Sequence, residues 1–277
     1  MVKPKIKKND ILKIIAMVTM LIDHLGVLYF PDYQIFRSIG RIAFPIFAFY
    51  LAMGFSFTSD KKMYALRLLT FGVFAQMPYM FLNADVKAHF LGFNVLLLFT
   101  YAIGMLYVFD LAVNAIKKKD ILLSIYFMIG LLIILIIPDF LAYIIHGFYL
   151  SYGSYGLVLI LLFYILINKP RILVPLFIAI SFIFAYLRGV VNISNYLDVS
   201  YFSTLTNFQL VWNEITVYKN GLLTLQGYFF QSRSILGVLL VIFLSKLNYQ
   251  ISMPKYVAYL FYPLHIALLV IIRILME

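Results

Sequence analysis

Cysteine is absent from the sequence, and charged residues are scarce. Without cysteine the chain cannot form disulfides, iron–sulfur clusters, thiolate zinc sites or a thiol nucleophile. Charged residues make up 12% and apolar residues 64% of the 277 positions, a balance that excludes an ordinary soluble domain. Basic residues outnumber acidic ones by 22 to 11. Because loops that face anionic lipid account for this excess, we expect membrane lipid as a partner and no nucleic acid.

The apolar residues occur in blocks of about 17–25, the length at which a helix crosses about 30 Å of hydrocarbon. We therefore predict an all-α fold, a polytopic transmembrane bundle of about nine spans that forms a single domain over residues 1–277. No cleavable-signal pattern precedes the first block, so we expect it to stay as a helix. The number of spans between residues 138 and 226 is left open. The predicted spans are 12–30, 35–57, 64–82, 93–114, 121–137, 151–168, 172–191, 227–245 and 256–275.

Lysine and arginine concentrate before the first span and in every second loop, which predicts that these segments are cytoplasmic. The N-terminus then lies inside, the C-terminal Glu277 lies outside, and the long segment 192–226 faces out. This pattern indicates a multi-pass membrane protein. The basic residues are Lys3, Lys5, Lys7, Lys8, Lys61, Lys62, Lys117, Lys118, Lys119, Lys169, Arg171, Lys246 and Lys255.

Charged side chains occur at matching depths in the first two spans. Asp23 and His24 lie about 11 Å below the outer end of the first span, and Arg41 lies about 10 Å below the same surface in the second. An unpaired ionisable residue within a span costs several kcal/mol, so we predict that Asp23 pairs with Arg41. Arg37 shares a helix face with Arg41, and Pro45 cannot donate to the carbonyl of Arg41. A kinked, polar notch is expected here.

Three further polar residues lie within predicted spans. Gln76 and Asn94 reach the same outer layer from the third and fourth spans, and His265 lies about 14 Å into the last. Gln76 and Asn94 can equally be interhelical hydrogen-bond partners, and His265 can be bonded to a neighbouring carbonyl. His89 and His146 fall in loops. No pair of histidines or carboxylates has ligand spacing on one helix, so we expect no metal.

Six sequence blocks, in order along the chain, resemble the TraX family. They are "LKIIAMVTMLIDHLG", "RSIGRIAFPIFAFYLAMGFSFT", "KKMYALRLLTFGVFAQMPY", "FNVLLLFTYAIG", "YGSYG" and "KYVAYLFYPLH". TraX-like proteins are associated with N-terminal acetylation of conjugative pilin, and they resemble membrane acyltransferases that use cytoplasmic acyl-coenzyme A. Two departures leave the acceptor open: Ser151 stands where an Asp is common, and "LNYQISMPK" stands where an Asn-Gly stretch is expected.

The resemblance implies a multi-pass protein of the bacterial plasma (inner) membrane, an acetyl-coenzyme A-dependent N- or O-acetyltransferase that modifies a peptide, pilin or glycan on the outer side. The catalytic histidine of that group maps onto His24, with Arg41 as its companion. His24 would act as general base with Asp23 beside it, while Arg41 and Asn94 stabilise the oxyanion. A covalent acyl-imidazole on His24 is the other route.

Further residues are candidates for holding the coenzyme. The expected channel residues are His265, Arg37 and Gln76, and the expected phosphate contacts are Lys61, Lys62 and Arg67, although ordinary positive-inside residues have the same pattern. Two other functions fit the same residues. Asp, His and Arg are also parts of a proton relay, so a proton-coupled transporter or flippase is one alternative. A non-catalytic assembly factor is the other. The sequence leaves the acyl length and the oligomeric state open.

Overall fold

A computed structural model describes residues 10–83, 87–219, 222–225, 233–245, 251–254 and 256–276. The predictions for Lys3, Lys5, Lys7, Lys8, Lys246, Lys255 and Glu277, and the first part of the predicted span 227–245, lie outside the described residues.

The described chain is mainly helical, which confirms the all-α prediction. The helices that form the bundle are α1 Ile11–Leu28, α2 Gln34–Gly40, α3 Ala43–Phe57, α4 Lys61–Met80, α5 Val95–Lys117, α6 Ile121–Ile144, α7 Gly153–Leu166, α8 Pro170–Leu197, α11 Ile235–Leu244 and α12 Val257–Met276. Two short helices, α9 Tyr201–Thr206 and α10 Phe208–Ile215, follow α8. Strand β1 Gly92–Phe93 pairs in parallel with β2 Tyr149–Leu150. Strand β3 Thr216–Lys219 pairs antiparallel with β4 Leu222–Leu225.

Within the described residues, six helical segments are long and apolar enough to cross a membrane, α2 and α3 being taken together. They are Ile11–Leu28, Gln34–Phe57, Val95–Lys117, Ile121–Ile144, Pro170–Leu197 and Val257–Met276. Helices α7 and α11 are apolar but shorter. Helix α4 begins with two lysines and also carries Arg67 and Gln76, which make it less apolar than its neighbours. The protein is thus a helical membrane protein, while nine spans and the orientation stay predictions.

The second predicted span is broken rather than continuous. Helix α2 ends at Gly40, α3 begins at Ala43, and Arg41 and Ile42 lie between them. The physical reason is Pro45, which has no N–H to donate to the carbonyl of Arg41, so the regular hydrogen-bond ladder cannot pass this point. The break places Arg41 in the interior of the bundle, where its side chain is only 8% exposed.

Helix α1 lies between its sequence neighbour α2 and the last helix, α12. Its contacts with the C-terminal part of the chain follow one order: Asp10 with Met253, then His24 with His265, then Tyr29 with Leu269. Because the residue numbers of both contacting segments rise together, α1 and α12 run parallel. Helix α2 folds back on α1 as an antiparallel partner, and the two helices meet at Asp23 and Gly40.

Candidate functional site

A polar cavity of about 320 Å³ lies where α1, α2, α3 and the start of α7 meet. Its wall contains one carboxylate, two guanidinium groups, one imidazole and several phenolic hydroxyls. The polar residues of this wall are Asp23, His24, Arg37, Arg41, Tyr79, Tyr149, Ser151, Tyr152 and Tyr262. The side chains that we predicted for the outer layer of the first two spans are therefore brought together in one place. We refer to this space as the polar cavity.

The charged residues of the polar cavity form one cluster around Asp23. Arg37 Nη1 donates to Asp23 Oδ2 at 2.7 Å, and Arg41 Nη2 lies 3.5 Å from Asp23 Oδ1. Gly40 allows this approach, because a Cβ atom there would collide with the Asp23 carboxylate. Asp23 and Arg41 are paired as expected, but the shorter contact belongs to Arg37. Arg37 also lines the polar cavity, so its contact with the coenzyme stays a prediction.

The two intramembrane histidines contact each other directly. His24 Nδ1 and His265 Nε2 are 2.7 Å apart, and the two rings are parallel within 3°. The other nitrogen of His265, Nδ1, lies 2.6 Å from the carbonyl oxygen of Phe261, one helical turn earlier. The structure gives no support to the expectation that His265 lines the donor channel, because among the described residues it lines neither of these two cavities. It lies behind His24, which does line the polar cavity.

Asn94 and Gln76 bind each other and the backbone. Asn94 begins α5 as its N-cap, where its Oδ1 accepts from the backbone N–H groups of Leu96 and Leu97. Its Nδ2 donates to Gly72 O and to Gln76 Oε1, each at 2.8 Å. The amide is thus fully used and is absent from the described wall of the polar cavity. Both residues hold α4 against α5, and the structure gives no support to the predicted oxyanion role of Asn94 or the predicted coenzyme role of Gln76.

Tyr152 is a cavity residue that our sequence interpretation missed. It has φ 66° and ψ −11°, an unusual left-handed conformation for a residue with a bulky side chain. Its ring stacks on Phe44 with centroids 3.7 Å apart, and its hydroxyl accepts from Arg41 Nη1 at 3.4 Å. The sequence signal was the "YGSYG" block, but no local rule assigns a positive φ to its tyrosine. Tyr152 therefore connects the start of α7 to the charged cluster.

A second, apolar cavity of about 660 Å³ adjoins the polar one. Along α1 it is lined from Leu12 to Met20, a distance of about 12 Å at 1.5 Å per residue. Both cavities share four lining residues, Met20, Phe47, Val95 and Tyr262. The two spaces are therefore neighbours, and we refer to these four shared residues as the constriction. We refer to the second space as the apolar cavity.

The three candidate phosphate contacts differ in their surroundings. Arg67 lines the apolar cavity, as predicted for a residue that faces the donor. Lys61 Nζ instead lies 2.9 Å from Asp110 Oδ2, and Tyr164 donates to the other oxygen of that carboxylate. Lys62 is absent from the described residues that line the cavities. Of the three, Arg67 is therefore the candidate that the geometry favours, and the phosphate contacts of Lys61 and Lys62 stay predictions.

Among the residues that the structure describes, no cluster of three or more His, Cys, Asp or Glu side chains could hold a metal ion. The chemistry available at the polar cavity is that of an imidazole, a carboxylate and two guanidinium groups.

A comparison with protein families decides the relationship. A family model described as "TraX protein" matches residues 8–273. The chain belongs to the TraX family. The match includes α1, which carries Asp23 and His24, and reaches through His265 in α12. Every residue of the polar cavity therefore lies within the TraX match.

Two curated relatives share part of this TraX-family chain. "Probable fimbrial assembly protein FimC, serogroup H1" of Dichelobacter nodosus is 35% identical over 106 residues, which cover 34% of this chain and 43% of the relative. "Uncharacterized protein RP591" of Rickettsia prowazekii (strain Madrid E) is 38% identical over 73 residues, 26% of this chain and 27% of the relative. The chain thus spans less than half the length of either relative. No solved structure matches it.

Proposed function

We propose that this protein is an integral membrane acyltransferase of the plasma membrane. It moves an acetyl group from cytoplasmic acetyl-coenzyme A to an amine or hydroxyl on the outer side. The observation that carries the proposal is the junction of the two cavities beside His24. An apolar cavity and a polar cavity that meet at Met20, one helical turn from the His24 imidazole, suit a reaction whose two substrates arrive from opposite sides.

The apolar cavity suits the donor. In the predicted orientation its Leu12 end is cytoplasmic, and α1 rises about 18 Å from Leu12 to His24 at 1.5 Å per residue. The long arm that carries the thioester would occupy this passage and leave the nucleotide at the cytoplasmic mouth. Arg67 lines the same cavity and is the cation that we assign to the phosphates. The thioester carbonyl would pass the constriction formed by Met20, Phe47, Val95 and Tyr262.

The polar cavity suits the transfer step. The acceptor nitrogen or oxygen attacks the thioester carbonyl carbon while His24 takes the acceptor's proton. The carbon–sulfur bond then breaks, and the departing coenzyme A thiolate takes that proton back from His24. Arg41 stabilises the negative charge that develops on the carbonyl oxygen, because its guanidinium is only 8% exposed and lies in the same wall. Asp23 compensates the two guanidinium groups.

The acceptor that we favour is a surface peptide, a pilin or a glycan. Membership in the TraX family and similarity to a relative named as a fimbrial assembly protein support a pilin-related acceptor. The same relative's name also supports a second candidate, a non-catalytic assembly factor. The two functions differ in their need for His24, since an assembly factor needs the fold but no base.

The experiment compares cell-surface acetylation in cells that carry the wild-type protein, His24→Ala or His89→Ala. His89 is an exposed histidine outside both cavities and serves as the matched control. We expect mass spectrometry of surface peptides and glycans to show acetyl groups with the wild type and with His89→Ala. With His24→Ala these groups should be missing although the protein is present in the membrane. Equal surface acetylation in cells with and without the gene would overturn the proposal.

A further inference from the structure

The hydrogen bonds of the two histidines determine where their protons lie. The carbonyl oxygen of Phe261 can only accept, so His265 Nδ1, 2.6 Å away, must carry a hydrogen. A neutral imidazole carries one ring hydrogen, which leaves His265 Nε2 as an acceptor. His24 Nδ1, 2.7 Å from that atom, must then be the donor.

The second ring nitrogen of His24 follows from the same count. With its hydrogen on Nδ1, a neutral His24 has an unprotonated Nε2, which can take a proton. His24 lines the polar cavity, and its Nε2 makes no hydrogen bond within the described part of the chain. His24 therefore has an unprotonated Nε2 that can serve as a base at the polar cavity, while its Nδ1 is bonded to His265.

His265 is itself held in place by packing. Its ring stacks on Phe261 with centroids 4.6 Å apart, and Tyr262 meets it edge-on at 5.9 Å. The residue is 6% exposed. The Phe261 carbonyl, the Phe261 ring and the Tyr262 ring therefore fix the orientation of His265. A fixed acceptor orients the donor beside it, because rotation of either histidine ring in this packed interior would break their hydrogen bond.

We propose that His265 is a positioning residue, which holds His24 in the Nδ1–H tautomer and so leaves Nε2 free to accept the acceptor's proton. The role in the reaction rests on the proposed acyltransferase function. The hydrogen-bond arrangement does not, because it concerns the resting protein. His265 touches neither substrate, and its effect reaches the reaction through the ring of His24.

The first test is spectroscopic and needs no activity. Nitrogen-15 NMR of histidine-labelled protein in lipid nanodiscs distinguishes protonated from unprotonated ring nitrogens, and the chain has only 4 histidines to assign. The variants His89→Ala and His146→Ala identify the loop signals. We expect both His24 and His265 as neutral Nδ1–H rings, which is the minor tautomer of free histidine. A neutral Nε2–H ring or a doubly protonated ring at His24 would overturn the inference.

The second test uses three variants of His265 that keep different hydrogen bonds. In His265→Gln the amide oxygen lies near the position of Nε2 and can accept from His24. In His265→Asn the amide lies near the position of Nδ1 and cannot accept from His24, and His265→Leu removes both hydrogen bonds. We expect His265→Leu and His265→Asn to lower kcat by about 10–100-fold, the cost of removing the group that orients a metal-binding histidine. The KM for acetyl-coenzyme A should not change. His265→Gln should restore most of the turnover.

The outcomes separate the inference from the function. If glutamine and asparagine give equal turnover, His265 acts only through packing and the inference is wrong. If the variants melt at lower temperature without a change in kcat, the inference is equally wrong. Wild-type protein that binds acetyl-coenzyme A but never transfers its acetyl group overturns the proposed function, whichever tautomer the spectrum shows.

Discussion

The three charged residues of the polar cavity, Asp23, Arg37 and Arg41, should contribute unequally to the stability of the fold. Asp23 faces both Arg37 and Arg41, so Asp23→Asn leaves two guanidinium groups without a carboxylate. Arg41→Gln instead leaves Asp23 bonded to Arg37 at 2.7 Å, and Arg37→Gln leaves it beside Arg41 at 3.5 Å. The loss of the carboxylate should therefore destabilise the fold more than the loss of either arginine.

The magnitudes follow from burial. The Arg41 side chain is 8% exposed, and an uncompensated buried charge costs about 3–5 kcal/mol, which is the expected loss for Asp23→Asn. The Arg37 side chain is 33% exposed and solvent screens its contact, so Arg37→Gln should cost about 1 kcal/mol or less. The double variant Asp23→Asn with Arg41→Gln removes both buried charges and should be more stable than Asp23→Asn alone.

The assay is the free energy of unfolding in lipid bicelles, measured by steric trapping for the wild type and these four variants. Ser56→Ala, a change far along α3 from the cluster, serves as a control for handling. A double variant that is less stable than Asp23→Asn would refute the pairing. An Arg37→Gln variant that loses more stability than Asp23→Asn would refute the central place of the carboxylate.

Further predictions follow from the rest of the structure. Asn94→Ala should lower the free energy of unfolding by about 1–3 kcal/mol, because it removes a cap and buried hydrogen bonds, yet leave kcat unchanged. Phe47→Ala should widen the constriction and so raise the turnover of butyryl-coenzyme A relative to acetyl-coenzyme A. Phe49 lines only the apolar cavity, so Phe49→Ala should leave this ratio unchanged. The release of the coenzyme A thiol measures the turnover of each donor. A topology reporter after Lys119 should read as cytoplasmic and one near Asn207 as external, and readings on the same side would contradict the predicted orientation.

The meeting of Asp23 with Arg41 was predictable because helix geometry converts position along a span into depth. Asp23 and Arg41 lie at similar distances from the turn between the first two spans, and the cost of a buried charge requires that they meet. Pro45 likewise predicted the irregularity that separates α2 from α3. These inferences use short separations along the chain and simple periodicity.

The histidine pair was not predictable in the same way. His24 and His265 are 241 positions apart, and no local pattern sets the register of α1 against α12. Asn94 carried a signal that pointed to its real role, since an Asn directly before an apolar run is a common N-cap. For Tyr152 the "YGSYG" block was a signal without a conformational rule, because the contacts of this tyrosine with Phe44 and Arg41 form only in the folded bundle.

The central claim is that an acetyl group crosses the membrane by chemistry at His24. The most direct measurement traps radiolabelled acetyl-coenzyme A inside sealed proteoliposomes and places outside them an envelope extract from cells that lack the gene. We predict that label appears in the outside material with the wild type. His24→Ala should still bind acetyl-coenzyme A but transfer less than about a tenth as much, because loss of a general base costs about 10²–10⁴-fold. Transfer by His24→Ala above that level, or no transfer by wild-type protein that binds the donor, would contradict the account.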